Sequence, residues 1–567
     1  MLLWCVPGVP AGNPGRLGAG LTVTVSSGPH GAVRGGMVQA VALEFENQGE
    51  ARMISVSSGP GVRATSRFSI PAGARVARFL YVPLPLSSPR AVRWCEFRDA
   101  DTGESLNTVP LPSVPVLRAQ YVSGRSTGPR NVPSLACLKI TDGSRHVAIN
   151  TTLDGGCRLV VETASADMLP GHWRGLSGVD VMVAQAETLL SSRFDLGPAA
   201  EWMAMGGVLL VPDAHGTDRT RLRKKLDAIS PFSRRHPRGL LVGMGGMAFV
   251  QEKELRQSNT LFFSKTVGIP AGRLRAETYF EDYDRKPEMP FEARPPFWPV
   301  LFFLALFAVG VGPLGWWYLV SRKGMGLLYY VAAPALCAVV MAIVVVADLA
   351  QEGFRPYLSC RAVRFIDQKA KRRIDLSQFG IYAPVMTGGR LVGQPGEVPY
   401  FVGGPRRGIR NLTVRTTEGG QEYVGALPAR RKSWYGRAAL EVERRRLVVG
   451  RDNGGVWVEN HLGCDLRDLV VAQGGSFFAV SSLEAGEKKR AEPTGRDGAV
   501  RIWEERFRRC STGTALRRAR VLQDHWQERF LSGHAWAARV EAEHLQEQVW
   551  LRSRRPQNVR YLIFGVF

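Results

Sequence analysis

The sequence predicts a multidomain chain of α/β and all-β units with two transmembrane helices. Three observations carry this: two charge-free apolar runs past the middle, near-continuous apolar strands before them, and period-two strands on both sides. The runs are Phe297–Val320 and Leu327–Ala347. About 20 helical residues at about 1.5 Å each cross a bilayer core of about 30 Å. Both runs reach that length, and Ser321–Gly326 between them is too short to hold a domain. The expectation is a membrane hairpin with a large polar segment on each side.

Arg322 and Lys323 set its direction, because short basic loops stay cytoplasmic. Trp316, Trp317 and Tyr318 before the loop, with Tyr329 and Tyr330 after it, stand where an interfacial aromatic belt belongs. Both soluble regions would then be exported from a protein integral to the cytoplasmic membrane. Gly312-Pro313 predicts a kink in the first helix. Residues 1–16 read as a degenerate or truncated export signal, without a basic start and broken by Pro7 and Pro10.

Residues 17–124 alternate as strands do. Leu21–Ser27, Val38–Asn47 and Ala74–Leu84 are short period-two segments separated by Gly, Pro and Asn turns. LEFENQGEARMISV gives strand, Asn-x-Gly turn, strand, and a Pro-Ala-Gly corner follows at Pro71–Gly73. This is the grammar of an immunoglobulin-like β-sandwich. It returns in Val456–Val471, where Asn460 ends a strand, and in the Ala485-Gly486 corner, which places a second sandwich at 360–492. The tail, 493–567, reads as helix-prone over Ala515–Gln548 and closes as a strand over Arg560–Phe567.

Residues 133–270 change character. Arg158–Ala164, Val179–Ala186, Gly207–Asp213 and Gly239–Gly245 are near-continuous apolar runs, the mark of parallel strands covered on both faces by helices. Asp195–Gly207 reads as a short helix, with Pro198 near its start and Gly206-Gly207 as its stop. Strand–helix–strand order implies a right-handed α/β unit.

Ligands of open α/β sheets bind beyond the carboxyl ends of the strands. Reading just past each run gives a candidate crevice of Glu187, Asp213, His215, Gly243, Gly245 and Gly246, with Glu162, Thr163, Ser165 and Gln185 beside it. The same residues would serve as helix caps in an inert domain. No G-x-C-x-G or G-x-S-x-G elbow occurs, and Met244 stands where a nucleophile would sit, so no catalytic residue is assigned. The glycines of GMGG lack the Lys-Ser/Thr ending of a phosphate loop. Eight cysteines show no C-x-x-C or zinc spacing, so neither metal nor cofactor is expected, and a Cys137–Cys157 bridge is left open. The net charge of +24 comes from arginine spread over every region with no nucleic-acid motif, which reads as a solvated surface; for exported domains, membrane lipid or an envelope polymer is a more plausible counterpart than nucleic acid.

VDVMVAQ and AAEWMAMGGVLLV, followed by P-F-x-P-x-L…G-P-L-x-W-W-x-L-x-x-R-K over Pro296–Lys323 and by Ala333-Pro334, resemble a known architecture. It is that of exported bacterial membrane proteins carrying a class I glutamine amidotransferase-like domain. The resemblance implies a flavodoxin/amidotransferase-like parallel domain between two sandwiches. Like many such domains, this chain lacks the Cys-His-Glu pattern of glutamine hydrolysis. The expected function is therefore a membrane-anchored envelope protein whose exported domains bind a partner protein, glycan or small ligand without catalysis. The alternative is a degenerate amidotransferase-like hydrolase using Asp213, His215 and Glu187. Transport would need more than two helices and a buried charge within them.

Overall fold

The computed structural model describes residues 13–18, 20–26, 28, 33–34, 38–59, 62–84, 92–111, 116–117, 134–141, 152–153, 157–166, 169–229, 233–236, 239–242, 245–257, 301–302, 305, 307–322, 330–331, 334–343, 346, 357–369, 371–383, 390–393, 396–402, 412–417, 420–425, 431–453, 455–499, 501, 535–540 and 558–566. Most of these lie in β-strands, arranged in six sheets.

An eight-stranded sheet forms the α/β unit. Its order is Thr152–Leu153, Cys157–Ser165, Ser134–Thr141, Val181–Ala184, Val208–Pro212, Gly245–Val250, Gly239–Val242, Ser233–His236. The five strands from Cys157–Ser165 to Gly245–Val250 are mutually parallel. Numbered along the chain they run 2-1-3-4-5, the flavodoxin type of doubly wound order. Val181–Ala184, Val208–Pro212 and Gly245–Val250 are buried at every position, as strands covered on both faces must be. The helix expected near Asp195 is Leu196–Ala204, where Asp195 Oδ1 accepts from Gly197 N at 2.8 Å and Gly206, at φ 111°, ends it.

Two features of this sheet escape the apolar pattern. Ser134–Thr141, the first of the parallel strands along the chain, is not among the expected strands. Gly239–Val242 was expected as a parallel strand but runs antiparallel to Gly245–Val250. Periodicity reports burial but carries no strand direction, so an apolar hairpin and a βαβ strand look alike.

The N-terminal region pairs a four-stranded sheet with a seven-stranded one over a shared core that includes Val23, Leu43, Phe45, Ile54, Val56 and Phe97. The seven-stranded sheet is not made by this region alone. Arg390–Gly393, Gly420–Val424 and Thr413–Thr417 extend it, the last pairing in parallel with Arg63–Ile70. The region expected as a separate second sandwich is thus divided among three sheets. Its largest part is a nine-stranded sheet in which the tail strands Ala535–Val540 and Asn558–Val566 sit centrally, next to Tyr357–Asp367 and Leu466–Gln473. Ala535–Val540 falls inside the tail expected to be helical. Burial of Trp536 and its neighbours overrides the helix preference of its alanines. One face of this sheet (Phe365, Ile374, Val398, Ala438) joins the core of the α/β unit. The other (Ala362, Phe379, Ile381, Tyr435) joins that of the N-terminal sheets.

The repeated turn grammar has an atomic cause. Asn47 Nδ2 donates to Glu50 O, Ile70 O and Pro71 O, while its Oδ1 accepts from Gly49 N. Asn460 Nδ2 donates to Cys464 O, Leu483 O and Glu484 O, and its Oδ1 accepts from Leu462 N. Each asparagine ties its own turn to a corner 23 and 24 residues later.

The fold class needs correction at the apolar runs. No helix among the described residues is long and apolar enough to cross a membrane. Within the first run the backbone winds as π-helix over Gly310–Leu314 and again over Trp316–Arg322. Pro313 lies inside the first of these, where its missing N–H breaks the i→i−4 ladder and a wider winding takes over. The lack of a membrane-crossing helix among the described residues contradicts the transmembrane spans expected at 297–320 and 327–347 and the integral-membrane location built on them, although described residues of both runs, among them 307–309 and 334–343, are helical. Of the expected export signal, residues 13–16 lie in the edge strand Asn13–Gly18, and the rest lies outside the described residues. Cys137 is a free, buried thiol.

Candidate functional site

The order 2-1-3-4-5 places the topological switch point between Ser134–Thr141 and Val181–Ala184, where the chain leaves adjacent strands in opposite directions. Near the carboxyl end of Ser134–Thr141 stands Lys139, level with Thr163 and Val183 of its neighbours. Leu138 and Ile140 beside it are fully buried, and Lys139 itself is only 9% exposed. A lysine this deep is uncommon. Burial in apolar surroundings holds its ammonium below the ordinary lysine range, and the Glu252 carboxylate offsets part of that effect. Cys137, two residues earlier, shares its face of the strand. Burial pushes that thiol up to about 12, which keeps it protonated and unreactive.

The loops after the fourth and fifth parallel strands close the same end. Asp213 follows Val208–Pro212 with φ 46°, a left-handed conformation uncommon outside glycine and enriched at functional sites. It is held there from two sides: its N–H donates to Val250 O at 2.9 Å, and its Oδ1 accepts from Glu252 N at 3.0 Å. The Asp213 side chain therefore ties the fourth loop to the start of the helix Glu252–Gln257. In doing so it positions Glu252, the carboxylate that acts on Lys139.

The other expected residues distribute differently. His215 is exposed, and its carbonyl accepts from Arg219 N at 2.9 Å at the start of the helix Gly216–Ile229. Glu187 is exposed in the first turn of the helix Ala186–Leu190, where it complements the positive end of the helix. Gly245 and Gly246 lie at the opposite end of the sheet, since Gly246 is level with Val208, the first residue of its strand. A side chain on Gly245 would run into the carbonyl oxygens of Gly207 and Met203, so this glycine serves close packing. Gly243 lies outside the described residues.

The structure thus joins Asp213 to two residues that the sequence reading missed, Lys139 and Glu252. The signal for Lys139 was a single cation inside the apolar run LACLKIT. Glu252 stands two residues after the strand GGMAFV, an end that becomes visible only once that strand, and not Gly239–Val242, is recognised as parallel. Chemically, the site offers one buried cation within the field of the Glu252 carboxylate. It suits a small ligand that brings a carboxylate or carbonyl oxygen to Lys139. Among the described residues, no group of three or more His, Cys, Asp or Glu side chains is arranged to hold a metal ion.

No family model matches the chain, and no curated protein matches it.

Proposed function

We propose that the protein is a non-catalytic ligand-binding protein. Its α/β unit takes a small carboxylate- or carbonyl-bearing molecule at the carboxyl end of the parallel sheet, and its β-sheets present the liganded unit to a partner. The observation that carries this is Lys139, a cation buried at the switch point of a doubly wound sheet. Burying an ammonium costs stability, and a binding role at the place where such folds hold ligands accounts for its retention. The strand order also supports the amidotransferase-like reading of this unit. The hydrolase reading is less well supported: Glu187 and His215 are exposed, and Asp213 spends a carboxylate oxygen on the Glu252 backbone.

The test is a thermal-shift screen of the full chain with small carboxylic and keto acids, run beside turnover assays on amide and ester substrates. Saturable stabilisation without turnover, lost in Lys139→Met and kept in Arg174→Gln, is expected. Turnover abolished by Asp213→Asn or His215→Gln would replace the proposal with the hydrolase.

A further inference from the structure

A second cationic position lies where the α/β unit meets the nine-stranded sheet. One face of that sheet carries a ladder of buried ion pairs across four neighbouring strands. Arg364 grips Asp375 with two bonds at 2.6 and 3.1 Å. Arg373 bonds Asp375, Glu443 and Glu441, and Arg437 bonds Glu397 at 2.6 Å and Glu441 at 2.7 Å. Arg445 closes on Glu443 at 3.0 Å. Four arginines and four carboxylates thereby neutralise one another.

Arg174 stands outside this ladder. It sits in the short 3-10 turn Trp173–Leu176 of the α/β unit, 9% exposed, with its guanidinium over the Tyr81 ring at 5.0 Å and within the field of Glu397 and Tyr423. Its Nε and Nη1 are buried and make no hydrogen bond. A buried charged donor without an acceptor is costly, so the position calls for one. His172 supplies a further donor. Its Nδ1 accepts from Arg174 N at 3.2 Å, which places the proton of the neutral ring on Nε2. In front of Nε2 stands Gly396, at φ 129°; the nearest point a side chain there would occupy is 3.9 Å from Nε2, and glycine leaves it open. His172 is half-buried and forms the rim.

We propose that Arg174 and His172 form an oxyanion site between the α/β unit and the nine-stranded sheet, taking the phosphate group of a small ligand. Arg174 Nε and Nη1 and His172 Nε2 supply three nitrogen donors for it. Arginine suits a phosphate because its planar donors match the phosphate oxygens. This site is separate from Lys139, on a different element of the α/β unit.

The full chain is titrated calorimetrically at constant ionic strength with inorganic phosphate. Saturable one-site binding is expected. Affinity should fall at least tenfold in Arg174→Gln and severalfold in His172→Asn, which keeps an acceptor for Arg174 N but removes the rim donor. Lys139→Met should bind as the wild type does, which separates this site from the one proposed above. No phosphate binding, or wild-type affinity in Arg174→Gln, overturns the proposal. Should Arg174→Gln fail to fold, wild-type affinity in His172→Asn overturns it equally.

Discussion

Lys139 is retained at a cost that its removal should reveal. With its ammonium held below the ordinary lysine range, the unfolded chain binds the proton more tightly than the folded one. Stability should therefore rise with pH from the lowered folded value up to the unfolded one, and be penalised below it. Lys139→Met should raise the unfolding free energy at pH 7 by about 1 kcal/mol and flatten that rise, as followed by denaturant titration at several pH values. His172 gives a second residue-scale expectation. Burial, helped by Arg174, holds it down to about 4, so the unfolded chain takes up the proton first as pH falls. Its contribution to stability is present above pH 6.5 and lost between 6.5 and about 4. His172→Asn should lose stability less steeply over that window. Lys139 was legible only in part: a lysine in an apolar run marks either a strand end or a site, and the surrounding strand had to be recognised first. Asp213 was found because polar residues after apolar runs cluster at sheet ends, whereas its left-handed backbone and its bond to Glu252 arise from tertiary contacts that no spacing encodes.

At the scale of elements, turns and corners proved the most readable part of the chain. Asn47 and Asn460 were visible as strand-ending asparagines before a glycine and upstream of an Ala-Gly corner, and the structure gives both the same hydrogen bonds. Asn47→Ala and Asn460→Ala should each cost about 2–4 kcal/mol in denaturant unfolding, and nearly the same amount, because each removes several bonds to buried carbonyls. A large difference between them would show that the repeat is geometric without being energetic. Gly245→Ala should destabilise by about 1–3 kcal/mol, since the added methyl meets backbone oxygens that no rotamer change can move. Direction and partner choice were the unreadable quantities. The Gly239–Val242 hairpin, the strand Ala535–Val540 and the π-wound backbone at Pro313 each depend on what packs around a segment, which local pattern does not contain.

Across the whole molecule, the nine-stranded sheet is the shared layer, with the core of the α/β unit on one face and that of the N-terminal sheets on the other. Sequence reading saw domains as successive beads because it weighs neighbours along the chain. The structure instead interleaves distant segments, as Thr413–Thr417 beside Arg63–Ile70 shows. The ion ladder between these layers should be intolerant of half-removal. Burial alone would raise the Asp375 carboxyl, but Arg364 and Arg373 overcome this and hold it below the usual range. Arg373→Met would take one cation each from Asp375, Glu441 and Glu443 and should cost about 3–5 kcal/mol by denaturant unfolding, with one cooperative loss of the α/β unit and the N-terminal sheets. The central claim, that this framework serves a ligand site at Lys139, is tested most directly by the rate at which Lys139 is acylated. Peptide mass spectrometry would follow that rate with and without a mixture of acetate, succinate and glutamate. The account predicts saturable protection of Lys139 with no change at the exposed Lys253 and Lys488. An unaltered Lys139 rate at the highest acid concentration would contradict it.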